Sequence, residues 1–97
     1  MEIKKGTYLI TGMTGFIGGL LTKVLMKDSG YQTGEIRVVG IVRDEEKAKR
    51  IFEGYELSGV RFVKADLSEL SCDFKEIGEN IDYIIHEGNI YIRITSH

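Results

Sequence analysis

The chain has 97 residues, no proline and a single cysteine, Cys72. Without proline there is no rigid spacer, and with no internal repeat or low-complexity tract there is no place for a linker between domains. A lone cysteine forms no internal disulfide, and beside only two histidines it makes no metal-ligand spacing. Neither a disulfide framework nor a metal site is expected to organise the fold. No apolar run approaches the roughly 20 residues that cross a bilayer. The first residues, MEIKK, lead directly into a strand without the apolar stretch and small-residue cleavage site of a secretory signal. The expectation is a cytoplasmic protein with no membrane partner. Charge of one sign is also scarce: a net charge of -2 argues against nucleic acid as a partner. Lys47, Lys49 and Arg50 read as the solvated face of a helix.

What the sequence does hold is 12 glycines, 42% hydrophobic and 29% charged residues, the balance of one soluble domain over residues 1–97 with a modest core. Three of the glycines fall in Thr7 to Leu25, TYLITGMTGFIGGLLTKVL. Tyr8, Leu9 and Ile10 form a short apolar run; from Phe16 the apolar residues recur as Phe16, Ile17, Leu20, Leu21, Val24 and Leu25, a switch from strand to helix period. Between them Gly12, Gly15 and Gly18 are spaced three apart. Gly12 lets the backbone turn off the strand, Gly15 removes a Cβ where a pyrophosphate would approach, and Gly18 lets the helix lie close on the strand. Backbone N–H groups around Gly15 to Ile17 then face an anion at the positive end of the helix dipole.

The spacing differs from the Gly-x-Gly-x-x-Gly fingerprint, since Met13 and Thr14 separate the first pair. Thr11-Gly12-Met13-Thr14-Gly15-Phe16-Ile17-Gly18 resembles the TGxxGFIG signature of the extended short-chain dehydrogenase/reductase family, the NAD(P)-dependent epimerases, dehydratases and reductases. A member of that family is several times longer, so the resemblance implies the N-terminal part of a dinucleotide-binding domain, truncated.

The remaining elements fit. The first strand is expected at Gly6 to Ile10 and the first helix from about Gly15 to Asp28, ended by Ser29-Gly30 with glycine left-handed. Tyr31 to Glu35 reads as a loop. Ile36 to Val42 is β-branched and apolar, a buried parallel strand. Asp44 caps a helix running to about Glu53 with Ala48, Ile51 and Phe52 inward. Val60 to Ala65 is a third strand, Asp73 to Gly78 at most a short helix, and Ile81 to His86 a fourth strand. Right-handed crossovers give an α/β fold, a partial Rossmann-like parallel sheet in the order 3-2-1-4 with flanking helices. Asn89 to Thr95 has high β propensity and follows the turn dipeptide Gly88-Asn89, which predicts an antiparallel C-terminal strand beside the fourth. The family resemblance covers residues 7 to about 86.

The residue ending the second strand selects the cofactor: an acid bonds a free ribose 2′-hydroxyl, an arginine accommodates a 2′-phosphate. Arg43 favours NADP; Asp44, one residue on, is the acid that would favour NAD, or else a helix cap. NADP is placed ahead of NAD. The resemblance further implies that Asp66, in the pair Asp66-Leu67, contacts the exocyclic amine of adenine. After the fourth strand the family continues from histidine into small residues. Here the chain reads His86-Glu87-Gly88-Asn89, and an acid at Glu87 aimed at a pyrophosphate would repel it.

The family's reaction uses a tyrosine acid/base with a lysine four residues later. Four residues after Tyr8, Tyr31, Tyr55, Tyr83 and Tyr91 come Gly12, Glu35, Gly59, Glu87 and Thr95, so no Tyr-x-x-x-Lys exists in these 97 residues. The chain is expected to be inactive alone and has no candidate catalytic residue, His86 reading as structural sooner than as a substitute base. Three readings stay open: a dinucleotide-responsive binding module, an oxidoreductase or epimerase subunit completed in trans, and a relic scaffold that binds nothing. A half-fold also lacks helices over the second face of its sheet. At about 25 cal/mol per Å², a few hundred exposed apolar Å² forgoes several kcal/mol. A second copy of the chain, a separate chain carrying the missing half or the tail strand is expected to cover that face, a homodimer being the simplest.

Overall fold

A computed structural model describes residues 3–70, 74–86 and 89–92. Its order is β1 (Gly6–Thr11), α1 (Phe16–Lys27), α2 (Ser29–Gln32), β2 (Ile36–Val42), α3 (Glu45–Ile51), β3 (Val60–Lys64), two 3-10 turns (Leu67–Glu69 and Lys75–Ile77), β4 (Tyr83–His86) and β5 (Asn89–Ile92). The strands form one sheet in the order β3-β2-β1-β4-β5. The first four are parallel and β5 is antiparallel to β4, the expected partial Rossmann-like sheet with its added strand.

β2 keeps its expected bounds because Val38, Val39, Ile41 and Val42 all bury against neighbours, as a central parallel strand requires. Asp44 caps α3 through a hydrogen bond its carboxylate accepts from the Lys47 N–H at 3.1 Å, and Ala48 and Phe52 are fully buried beneath it.

Several boundaries differ from expectation. α1 ends at Lys27, and Ser29 and Gly30 open the short α2 because the Asp28 carboxylate accepts from the Gly30 N–H at 2.9 Å and restarts a turn. The left-handed glycine comes later, at Gly34. Tyr31 is buried in α2, its hydroxyl donating to the Glu56 carbonyl oxygen and accepting from the Gly59 N–H at 3.2 Å. Pairing of His86 with Asn89 puts Asn89 in β5 instead of in the turn. Cys72, Glu87 and Gly88 lie outside the described residues.

The two faces of the sheet carry separate cores. α1, α2 and α3 cover one, around Ile10, Ile36, Val38 and Phe52. The second face, expected to meet water, does not: Leu9, Val39 and Ile41 are buried with Ile77 and Ile81. The segment between β3 and β4 crosses over them, held by Glu79, which pairs with Arg37 of β2 at 3.2 Å and Arg61 of β3 at 3.0 Å. Exposed apolar surface sits instead on α1, where Phe16 is 88% exposed and Ile17, Leu20 and Val24 about half. The inward face of α1 is Gly18, Gly19, Thr22, Leu25 and Met26.

Candidate functional site

At the C-terminal ends of parallel strands the chain leaves the sheet in loops, and the ends of β1, β2 and β3 surround a cleft of about 340 Å³. β1 contributes Thr11 and the turn residues Gly12 and Thr14. Ile41, Val42, Arg43 and Asp44 come from the end of β2, Lys47 from α3, and Ala65 and Asp66 from the end of β3. A crevice outside the carboxyl ends of an open parallel sheet is where such folds bind ligands.

The three glycines of the turn act in three different ways. Gly12 has φ +69 with nothing within 4 Å of a built Cβ, so its requirement is conformational. Gly18 is packing: a Cβ there would lie 2.1 Å from the Gly12 carbonyl oxygen, which holds the start of α1 against the turn. Gly15 has φ -83, and its Cβ would meet only the Gly12 oxygen at 3.3 Å, close to ordinary contact. Neither backbone strain nor packing demands a glycine at this exposed position, which leaves open space directly over the start of the helix.

Gly15 is the N-cap of α1, with no side-chain cap and no acidic residue in the first turn. The Gly15 N–H is not free, because it donates to the Gly12 carbonyl at 2.9 Å. The donors turned toward the opening are those of the first helical residues, Phe16 and Ile17, which have no intrahelical acceptor. Their side chains point to solvent, so any part these two play is through the backbone. Met13, between the glycines, is fully buried over Gly40 of β2, where a Cβ would stand 2.1 Å from its sulfur.

Four charged side chains border the cleft. Asp44 is engaged as the α3 cap, which takes it away from the ribose role weighed for it. The Arg43 guanidinium lies 3.3 Å from the Asp66 carboxylate. The other Asp66 oxygen accepts from the Ser68 N–H at 3.3 Å, and the Asp66 N–H donates to Glu69 at 3.0 Å, so Leu67 begins a 3-10 turn directly behind it. Lys47 is the residue the sequence reading missed: counted as solvated helix face, it is carried to the cleft because the Asp44 cap starts α3 at the end of β2. The signal available was its position three residues after the cap.

On the other side of β1, the Thr11 hydroxyl and His86 Nδ1 are 2.7 Å apart, tying the C-terminal ends of β1 and β4 together. Gly12, Thr14, Arg43 and Asp66 thus gather on one cleft, Gly15 to Gly18 form its adjoining helix start, and His86 stands apart, bound to the neighbouring strand.

The profile of the NAD dependent epimerase/dehydratase family matches residues 8–94. The chain belongs to that family. The match extends eight residues past His86, so the C-terminal strand falls within it. A tetraketide alpha-pyrone reductase from Arabidopsis thaliana is 37% identical over 73 residues, 71% of this chain and 21% of the reductase. Among solved structures, a UDP-glucuronic acid 4-epimerase from Bacillus cereus, crystallised with NAD and a fluorinated UDP-sugar, superposes with a TM-score of 0.58 at 27% identity. That superposition covers 81% of this chain and 25% of the epimerase. The chain therefore spans a fifth to a quarter of these family members.

Proposed function

We propose that this chain binds a nicotinamide dinucleotide in the cleft, NADP in preference to NAD. The turn Gly12, Thr14 and Gly15 with the backbone of Phe16 and Ile17 receives the pyrophosphate, and Gly18 holds that helix start in place. Arg43 takes the 2′-phosphate, and Asp66, with Leu67 behind it, meets the adenine amine. The observation that carries the reading is the open space at Gly15, a cradle a side chain would fill, set against helix donors that have no other acceptor. The preference for NADP is supported by Asp44 serving as a cap while Arg43 and Lys47 border the same pocket. Charge reversal, Arg43→Glu, weakens NADPH far more than NADH in a calorimetric titration; equal losses overturn the preference.

When bound, the cofactor supplies hydride exchange. With no Tyr-x-x-x-Lys among its residues, this chain does not complete that chemistry alone. It acts as a cytoplasmic cofactor-binding unit whose activity depends on residues outside these 97. Full-length relatives that reduce or epimerise their substrates suggest that setting. The apolar stripe Phe16, Ile17, Leu20 and Val24 is where a second copy or a separate chain completing the fold would associate. Sedimentation that gives a dimer for the native chain and a monomer for Leu20→Lys supports this; a native monomer contradicts it.

A further inference from the structure

We infer that Asp66, and not Arg43 alone, sets the discrimination between NADP and NAD, by acting as a built-in competitor for the Arg43 guanidinium; this rests on the dinucleotide reading above. The two side chains form an ion pair across the cleft they both line, Nη2 to Oδ2 at 3.3 Å. Its two members differ in freedom. The Asp66 carboxylate is held from behind by the Ser68 N–H on its other oxygen, and the Asp66 backbone is held by Glu69. Arg43 is 83% exposed on a flexible stem and has no other hydrogen bond or ion pair. The carboxylate is the fixed partner and the guanidinium the mobile one.

A 2′-phosphate, carrying about -1.5 to -2 charges, can gain Arg43 only by drawing it off Asp66 or by sharing it. In either arrangement the phosphate oxygens come within a few ångströms of a carboxylate that does not withdraw, and the like-charge repulsion is charged to NADP alone. NAD presents a hydroxyl at that position and leaves the ion pair standing. Asp66 therefore narrows the preference that Arg43 creates. Asn keeps an acceptor oxygen for the Ser68 N–H and for an adenine amine, so Asp66→Asn removes the competing charge while sparing both hydrogen bonds.

The test is calorimetric titration of the native chain, Asp66→Asn and Arg43→Met with NADPH, NADH, adenosine 2′,5′-bisphosphate and AMP, at low and high salt. For Asp66→Asn the expected result is about three- to fivefold tighter NADPH and bisphosphate binding, the range of an exposed charge pair. NADH and AMP change less than twofold, and the gain shrinks at high salt. In an Arg43→Met background the Asp66→Asn gain falls, because there is no guanidinium left to compete for. Phosphorylated and unphosphorylated ligands changing together, or NADPH weakening, overturns this inference and leaves the dinucleotide reading intact. A native chain that binds none of the four ligands overturns that reading, and this inference with it.

Discussion

Gly18 of α1 lies so close over Gly12 that a Cβ on Gly18 would stand 2.1 Å from the Gly12 carbonyl oxygen and 2.7 Å from its carbon. Those are backbone atoms of the turn itself, so nothing flexible can give way. Gly18→Ala must push α1 off the turn, and an overpacking cost of about 1–3 kcal/mol follows, measurable as a lower urea midpoint. Any folded fraction should bind dinucleotide less well, since the helix donors move with the helix. A stability unchanged by Gly18→Ala would contradict the packing role.

Met13 and Gly40 make a second coupled pair. A Cβ on Gly40 would lie 2.1 Å from the Met13 sulfur and 2.6 Å from its methyl carbon, and Met13 is fully buried. Gly40→Ala should cost about 1–3 kcal/mol by overpacking, and Met13→Ala about 2–5 kcal/mol by leaving a void. The double variant should cost less than the sum, because the new methyl occupies part of the void. Additive losses in a double-mutant cycle would show that the two do not share one space.

The buried phenols predict an alkaline limit. Burial raises the pKa of Tyr8 above the ordinary phenol value, with Tyr83 next in effect, and burial likewise raises that of Tyr31. Each group binds its proton more tightly folded than unfolded. Their contribution is therefore whole below about pH 10 and is lost as pH rises from there through the raised folded values. Denaturant midpoints followed from pH 8 upward should fall above pH 10, and less steeply in Tyr8→Phe. Tyr31→Phe should also lose about 1–3 kcal/mol at neutral pH, because the Glu56 carbonyl and Gly59 N–H lose their partner. A midpoint flat to pH 11 would contradict the burial argument.

Much of this fold was legible because its signals are local. Ile36 to Val42 is β-branched and apolar throughout, and Asp44 stands just before a helical period; both behave as read. The strand order follows from the handedness of crossovers, which depends on the chain's twist and not on any one side chain. The face of α1 was harder to read. Its periodic apolar residues, Phe16, Leu20 and Val24, face water, while the buried side is Gly18, Gly19 and Thr22, with the Thr22 hydroxyl donating to the Gly18 carbonyl at 2.7 Å. Close approach selects small residues, and a hydrophobic pattern cannot register them. The covering of the second sheet face was also hidden, because Ile77 and Ile81 reach it from 3-10 and irregular backbone with no period to detect. Of the cleft, the glycine turn, Arg43 and Asp66 were readable from their places at strand ends. Lys47 and the Arg43–Asp66 pairing needed three dimensions, since they join residues on different crossovers.

The most direct test of the account is titration of the purified chain with NADPH and NADH, with Gly15→Val as the control. The structure leaves room for a side chain at Gly15, so this variant should keep its fold and its urea midpoint within about 1 kcal/mol, as a change at an exposed position does. The account predicts micromolar binding by the native chain, tighter for NADPH, and loss of both cofactors in Gly15→Val. A folded native chain that binds neither, or a folded Gly15→Val that binds as well as the native chain, would contradict the claim that this turn is a pyrophosphate cradle.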